Sequence, residues 1–307
     1  MLNMSNAKFH ITRAGPLVSI QDLGRNGHMR FGVPKSGPMD VSSFKTANAA
    51  LGNAPTSSCI EVSIGGLELK CIEGPISLCV FGGEFNLTVD DQQIKMGEVF
   101  EVKKDQRLSI RAAKSGSWCY LACAGTLIAD RWLGSSATHF LSGFGGGVLK
   151  SNQNLTIKDA RIVEPLLGNK IAVQDKFDGY IRITLGPQDQ HFTRKAIRLL
   201  LNQEFKVSTA YDRMGMRLSG PTLEMNSSLS IPSEPLMKGS VQVAGDGIPT
   251  ILLSDHQTTG GYPKIATVIS SDLDMLAQLR PNQPLRFKAV SPENAIRIAR
   301  VKMIEHA

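Results

Sequence analysis

Ile76-Ser-Leu-Cys-Val-Phe-Gly-Gly-Glu-Phe-Asn-Leu-Thr-Val-Asp-Asp91 decides the fold class. An apolar run, Ile76 to Phe81, is closed by Gly82-Gly83. A second, Leu87 to Val89, is closed by the turn signal Asp90-Asp91. Runs this short, each ended by glycine or aspartate, are strands rather than helices. The pattern continues downstream in Val99 to Val102, Leu108 to Arg111 and Trp118 to Cys123. Such spacing predicts a meander, sandwich or barrel. The second half repeats the style in Tyr180 to Leu185, Leu223 to Met225, Gly239 to Val243, Thr250 to Leu253, Ile265 to Ile269 and Leu285 to Val290.

Helices are few and short. Asp40 is placed to cap one that runs to about Leu51, where Gly52-Asn53 stops it; Phe44, Ala47 and Leu51 form its apolar stripe, and Asn48 lies on that stripe. Others are expected from about Thr193 to Leu201, near Asp272 to Gln278 behind a Ser271 cap, and from Pro292 to Lys302 behind a Ser291 cap. A glycine-rich stretch, Gly143 to Gly147, precedes a polar segment from Lys150 to Asp159. These breaks divide the chain into two β-rich lobes, residues 1–165 and 166–307, with no visible repeat between them.

The bulk composition is that of an ordinary globular protein. Of 307 residues, 42% are hydrophobic and 20% charged, enough for a full core. The net charge is +7, but no basic run exceeds a pair, as at Lys103-Lys104 and Arg194-Lys195. With aromatics at 6% and no stacking pattern, no nucleic-acid partner is expected. No apolar stretch approaches the ~20 residues that cross a bilayer, and Met1 to Lys8 lacks the apolar core of a signal peptide, so no membrane partner and a cytoplasmic location are expected. The five cysteines form no CxxC pair and read as buried, reduced thiols. The histidines show no metal-ligand spacing, and there is no GxSxG, HExxH or phosphate-loop pattern.

Polar residues crowd in three places. In Ser19-Ile-Gln-Asp-Leu-Gly-Arg25 and Gly37-Pro-Met-Asp40, they sit among glycines that allow close backbone approach; the plainer alternative is a loop held by its own Asp-Arg pair. In Asp212-Arg-Met-Gly-Met-Arg-Leu218, two guanidiniums share a face if the segment is extended, a fork for a carboxylate or phosphate; the alternative is an internal ion pair with Asp212. The densest region runs from Gly239 to Lys264. A strand ends in Asp255-His-Gln-Thr-Thr259 and a double glycine. Gln242, Asp255, Gln257, Thr259 and Tyr262 offer donors and acceptors suited to an amide or ureido ring, and Lys264 suits an anionic oxygen.

These motifs, with Gly239-Ser-Val-Gln-Val243 and Gln257-Thr-Thr-Gly-Gly-Tyr-Pro263, resemble in order and spacing the signatures of the biotin-dependent carboxyltransferase, or allophanate hydrolase subunit 2, family from about Ile11 to Val290. The resemblance implies a mainly β fold with a cyclophilin-like barrel. Among free-standing family members of this length, the chain is similar to the C subunit of ATP-dependent 5-oxoprolinase, a hydrolase active as a multisubunit complex that opens 5-oxo-L-proline to L-glutamate. That similarity implies subunits B and A as partners, a small cyclic amide as substrate, and ATP used by the complex, since no ATP motif is visible in this chain. The catalytic candidates are Asp255, Gln257, Tyr262 and Lys264. The substrate-binding candidates are Gln21, Asp22, Arg25, Asp40, Asn48, Asp212, Arg213, Arg217, Gln242 and Thr259. Two further readings stand beside this one: a biotin-dependent carboxyltransferase acting on urea or a related amide, and a non-catalytic regulator binding a kinase-inhibitor partner. Prolyl isomerase activity has only the fold to recommend it. Met237-Lys238 resembles a biotin-attachment dipeptide, but Gly239 follows where Met or Leu is expected, so Lys238 reads as an ordinary lysine. No metal is expected.

Overall fold

A computed structural model describes residues 5–163, 177–226 and 231–305. The chain divides into two compact units, Met1–Asn26 with Ser36–Asp175, and Gly27–Lys35 with Lys176–Ala307. The expected lobe boundary at residue 165 falls outside the described residues. The grouping of Gly27–Lys35 with the second unit has no counterpart in the sequence pattern.

The first unit contains β1 (Ser5–Ala14), β2 (Ser19–Gln21), α1 (Val41–Ala49), β3 (Cys59–Ser63), β4 (Leu67–Glu73), β5 (Ile76–Gly82), β6 (Phe85–Val89), β7 (Gln92–Ile94), β8 (Val99–Val102), β9 (Arg107–Ala112), β10 (Trp118–Cys123), β11 (Thr126–Leu127) and β12 (Asn154–Ala160). Seven strands form one sheet in the order β11-β12-β1-β4-β9-β6-β7, and five form another, β2-β3-β10-β5-β8. Phe9, Ile11, Leu67 and Leu69 from the first sheet share one core with Ile60, Val62, Leu78, Val80 and Leu121 from the second. The five-stranded sheet is buried on its other face too. There Cys79, Phe81, Tyr120 and Ala122 pack against Phe44, Ala47 and Leu51, on and just beyond α1. Alternate residues of β5 and β10 therefore face two different cores. This explains why Ile76 to Phe81 is apolar at every position but Ser77 instead of alternating. All five cysteines are free and buried in this unit. Loss of hydration raises the thiol pKa of Cys79 and Cys123 to about 12.

The second unit contains β13 (Tyr180–Leu185), α2 (Arg194–Asn202), β14 (Phe205–Tyr211), β15 (Gly215–Ser219), β16 (Glu234–Pro235), β17 (Ser240–Val243), β18 (Pro249–Leu252), β19 (Thr259–Gly260), β20 (Lys264–Val268), α3 (Leu273–Ala277), β21 (Pro284–Ala289) and α4 (Pro292–Glu305). Seven of the strands close a barrel in the order β13-β20-β17-β18-β15-β14-β21, the last pairing in parallel with β13. β16 and β19 form a separate short ribbon. The mainly β architecture, the closed barrel and the few short helices agree with the expectation.

Two local expectations need correction. Leu223 to Met225 is not a strand; Met225 makes one isolated bridge to Phe192. Ser271 does not cap α3, which is entered from a turn over Ser270–Asp272 without a side-chain cap. The carboxylate of Asp272 is instead taken by Arg182, whose Nε lies 3.1 Å from Oδ1 and 3.0 Å from Oδ2. Asp40 and Thr193 do cap α1 and α2, accepting from the backbone N–H of Ser43 and Ala196.

Candidate functional site

The turn between β14 and β15 shapes the barrel site. Asp212 accepts hydrogen bonds from the backbone N–H of Met214 (2.7 Å) and Gly215 (3.1 Å), closing the chain on itself. Asp212 thus stabilises a turn. The turn also separates the two arginines that an extended segment would have aligned, so Arg213 and Arg217 do not form a fork. Arg213 turns inward, its Nε and second guanidinium nitrogen donating to the two carboxylate oxygens of Asp255 at 2.9 and 3.0 Å. Both side chains are buried. Arg217 lies outside and pairs with Asp246. The backbone N–H of Ile248, then Arg217, hold the Asp246 carboxyl below its ordinary pKa.

Beside this turn lies a cavity of about 300 Å³, lined in part by Asp212, Met214, Gln242, Thr250, Gln257 and Tyr262. Gln242 stands on β17, opposite Thr250 on β18 and Lys264 on β20. Its amide nitrogen donates to the carbonyl of Tyr262 at 3.3 Å. Gly260 keeps the space between two amides free of a side chain. A Cβ on it would lie 3.2 Å from Gln242 Nε2 and 3.6 Å from Gln257 Nε2. Gln257, Thr259 and Tyr262 are exposed, whereas Gln242 is buried. The cavity therefore offers donors and acceptors on two primary amides and a phenol, with little fixed charge.

Lys264 is buried, its ammonium 3.4 Å from Glu234 Oε1 and without a hydrogen-bond partner among the described residues. Gln188 binds both ends of this pair. Its side-chain oxygen accepts from the backbone N–H of Lys264 at 2.9 Å, and its amide nitrogen donates to Glu234. Sequence reasoning missed Gln188 and Glu234, which carry no motif and meet Lys264 only through the fold. His256 is also largely buried. Its Nδ1 lies 2.6 Å from the carbonyl of Gln257, so that nitrogen carries the proton. Burial lowers the imidazole pKa, and Lys238 lowers it further.

The remaining candidates belong to the first unit. The side-chain nitrogen of Gln21 donates to Ser19 Oγ at 2.9 Å and to the carbonyl of Thr138 at 3.2 Å. Asp22 accepts from the backbone N–H of Gly24 and Ser136 at 2.9 and 2.7 Å, and from the hydroxyls of Ser135 and Ser136 at 2.5 and 3.1 Å. Arg25 lies over the Trp132 ring, 4.8 Å from its centroid, and donates to the carbonyls of Trp132 and Ala137. All three thus grip the segment from Trp132 to Thr138. Asn48 donates to the carbonyl of Ser57 at 3.0 Å and accepts from Asn53 at 3.2 Å, fixing the chain that leaves α1. Asp40 belongs to a cluster that sequence reasoning missed. Its backbone N–H donates to the Tyr120 hydroxyl at 2.8 Å, and that hydroxyl donates to buried Glu61 at 2.7 Å. Burial, and then the Glu61 carboxylate, push the Tyr120 phenol well above its ordinary pKa. Among the described residues, no group of three or more His, Cys, Asp or Glu side chains is placed to hold a metal, and no helix is long and apolar enough to cross a membrane.

Together, the fold and the site define a β-rich domain whose closed barrel carries a small cavity lined by amide side chains. The chain belongs to the family described as carboxyltransferase domain, subdomains A and B, which it matches over residues 31–289. It is similar to the 5-oxoprolinase C subunit of Haemophilus influenzae, with 35% identity covering 92% of this chain and 91% of that protein. It is also similar to the 5-oxoprolinase C subunit of Escherichia coli, with 32% identity covering 94% and 93% of the two chains. Among solved structures, it resembles Kluyveromyces lactis urea amidolyase, with a TM-score of 0.87, 27% identity, and coverage of 97% of this chain and 20% of the other. The chain spans only part of the solved proteins it matches.

Proposed function

We propose that this chain is a subunit of a 5-oxoprolinase, a hydrolase complex that converts 5-oxo-L-proline to L-glutamate with ATP. The observation that carries the reading is the barrel cavity, where Gln242, Gln257 and Tyr262 face one space suited to a small ring amide. The similarity, along more than nine-tenths of this chain, to two proteins named as the C subunit of 5-oxoprolinase supports it. A ring amide is a poor electrophile, and ATP supplies the activation. This chain's residues bind and orient the ring. Gln242 and Gln257 take its C=O and N–H, and Tyr262 closes the open side. Lys264, buried and without a hydrogen-bond partner among the described residues, supplies positive charge to an anionic oxygen. Arg213 and Asp255 act on substrate through position, by holding the turn that bears Asp212 and Met214. Subunits B and A complete the complex in the cytoplasm, and ATP is used by that complex.

The likeness to urea amidolyase favours one second reading, a carboxyltransferase acting on urea. Two primary amides and a phenol also fit the ureido ring of biotin, which would carry the carboxyl group to be transferred. Reconstitution separates the readings. ATP-dependent glutamate formation from 5-oxoproline by subunits A, B and this chain is expected to stop when this chain is omitted. Undiminished glutamate formation without it rejects the first reading. Carboxylation of urea that requires a biotinylated partner establishes the second.

A further inference from the structure

A second cavity, of about 400 Å³, lies wholly within the first unit. Its walls are the turn Thr56 to Ser58, the chain from Gly125 to Arg131 along and beyond β11, and Ser136. None of these residues belongs to the barrel site. Among the described residues that line it, Arg131 is the one ionised side chain, and no carboxylate faces in. Arg131 is exposed and makes no ion pair within the described residues. Thr56, Ser57 and Thr126, each with a hydroxyl, line the same wall. A guanidinium with hydroxyl donors is the chemistry that receives an oxyanion.

The opposite polarity is built in beside it. Asp22 Oδ2 takes both the backbone N–H and the hydroxyl proton of Ser136, at 2.7 and 3.1 Å. The Ser136 hydroxyl has then spent its only proton, so its 2.7 Å contact with the Ser58 hydroxyl is one in which Ser58 donates. Ser58 is thereby left with lone pairs toward the cavity and accepts from a ligand. The buried carboxylate behind the relay favours a cationic donor at that point. The turn is held in place from below by Asn48, which binds the Ser57 carbonyl.

We propose that this cavity binds a small free α-amino acid, its carboxylate at Arg131 and its ammonium at Ser58. The inference does not depend on the 5-oxoprolinase reading. The volume lies within the ordinary range for small-molecule sites, about 300–1,000 Å³.

The test uses the full chain and isothermal titration with the common free amino acids, the des-amino analogue of the best binder, and inorganic phosphate. Saturable amino-acid binding is expected, with a clear preference over the des-amino acid. Arg131→Ala should weaken it about tenfold, and Arg131→Lys less. Ser58→Ala should abolish the preference for the ammonium while leaving the des-amino acid's affinity unchanged. Both substituted side chains are at least partly solvent-exposed, and thermal denaturation confirms that the variants fold. No binding at millimolar concentration, binding indifferent to Arg131→Ala, or Arg131-dependent binding of phosphate in place of any amino acid overturns the proposal.

Discussion

Arg213 and Asp255, both buried, meet through hydrogen bonds to both carboxylate oxygens, and the backbone N–H of Asp255 also donates to the Arg213 carbonyl, at 2.8 Å. Side chain and main chain together clamp the β14–β15 turn to the end of β18. Removing one partner strands a buried charge. Asp255→Ala is expected to cost roughly 3–5 kcal/mol in urea denaturation. The double variant Arg213→Met/Asp255→Leu should recover most of that loss, because the pair's own net contribution is small. A double variant as unstable as the single one would show that the turn needs the hydrogen bonds and not just charge balance.

Lys264 is a different case. Its ammonium is buried, lacks a hydrogen bond among the described residues and stands 3.4 Å from a carboxylate that is itself partly exposed. Lys264→Met should therefore leave stability within about 1 kcal/mol of the parent or raise it. Glutamate formation by the assembled complex should fall at least tenfold if the ammonium serves a substrate oxygen. Steady-state kinetics beside a thermal melt checks both halves.

Gly260 separates the two amides of the barrel cavity. In Gly260→Ala the new methyl would lie 2.9 Å from Leu236 Cδ1 and 3.2 Å from Gln242 Nε2. The amide must move. A rise in the KM for the cyclic amide, with at most about 1–2 kcal/mol lost from stability, is the expected outcome.

His256 gives the fold a pH response. Burial is the main cause of its lowered pKa, with Lys238 adding to it, while the Gln257 carbonyl and Asp255 oppose the shift. A base whose folded pKa lies below its unfolded value binds its proton more readily when unfolded. The contribution is thus complete above the unfolded value, near 6.5, and lost as pH falls through the lower folded value. Denaturation midpoints of the parent should drop below about pH 6.5 more steeply than those of His256→Gln.

Legibility from sequence followed locality. Ile76 to Phe81 and Trp118 to Cys123 were readable because each strand's signal lies within its own few residues. The cap at Asp40 was readable because cap and recipient are three residues apart. Among the polar residues, Gln242, Gln257 and Tyr262 crowd in sequence and line one cavity, and Asp212 reaches it from a separate segment. What stayed hidden was long-range partnership. Asp255 takes Arg213 from 42 residues away. Gln188 reaches across 76 residues to Lys264. Glu61 meets Tyr120 at a separation of 59. Asp272 looked like part of a helix start, yet it ended as a partner for Arg182 because the barrel brings β13 beside it. No local pattern encodes a choice between a cap, a structural ion pair and a ligand contact for the same carboxylate.

The two-faced burial of the five-stranded sheet has an experimental use. All five thiols lie in the first unit, four of them on its central strands or at their ends, and both tryptophans, Trp118 and Trp132, lie there as well. The barrel unit contains neither residue type. A thiol-labelling rate or an indole emission shift therefore reads the first unit directly. Compared with far-ultraviolet dichroism, which sees both units, these two native signals separate the melting of one half from the other without any label being introduced.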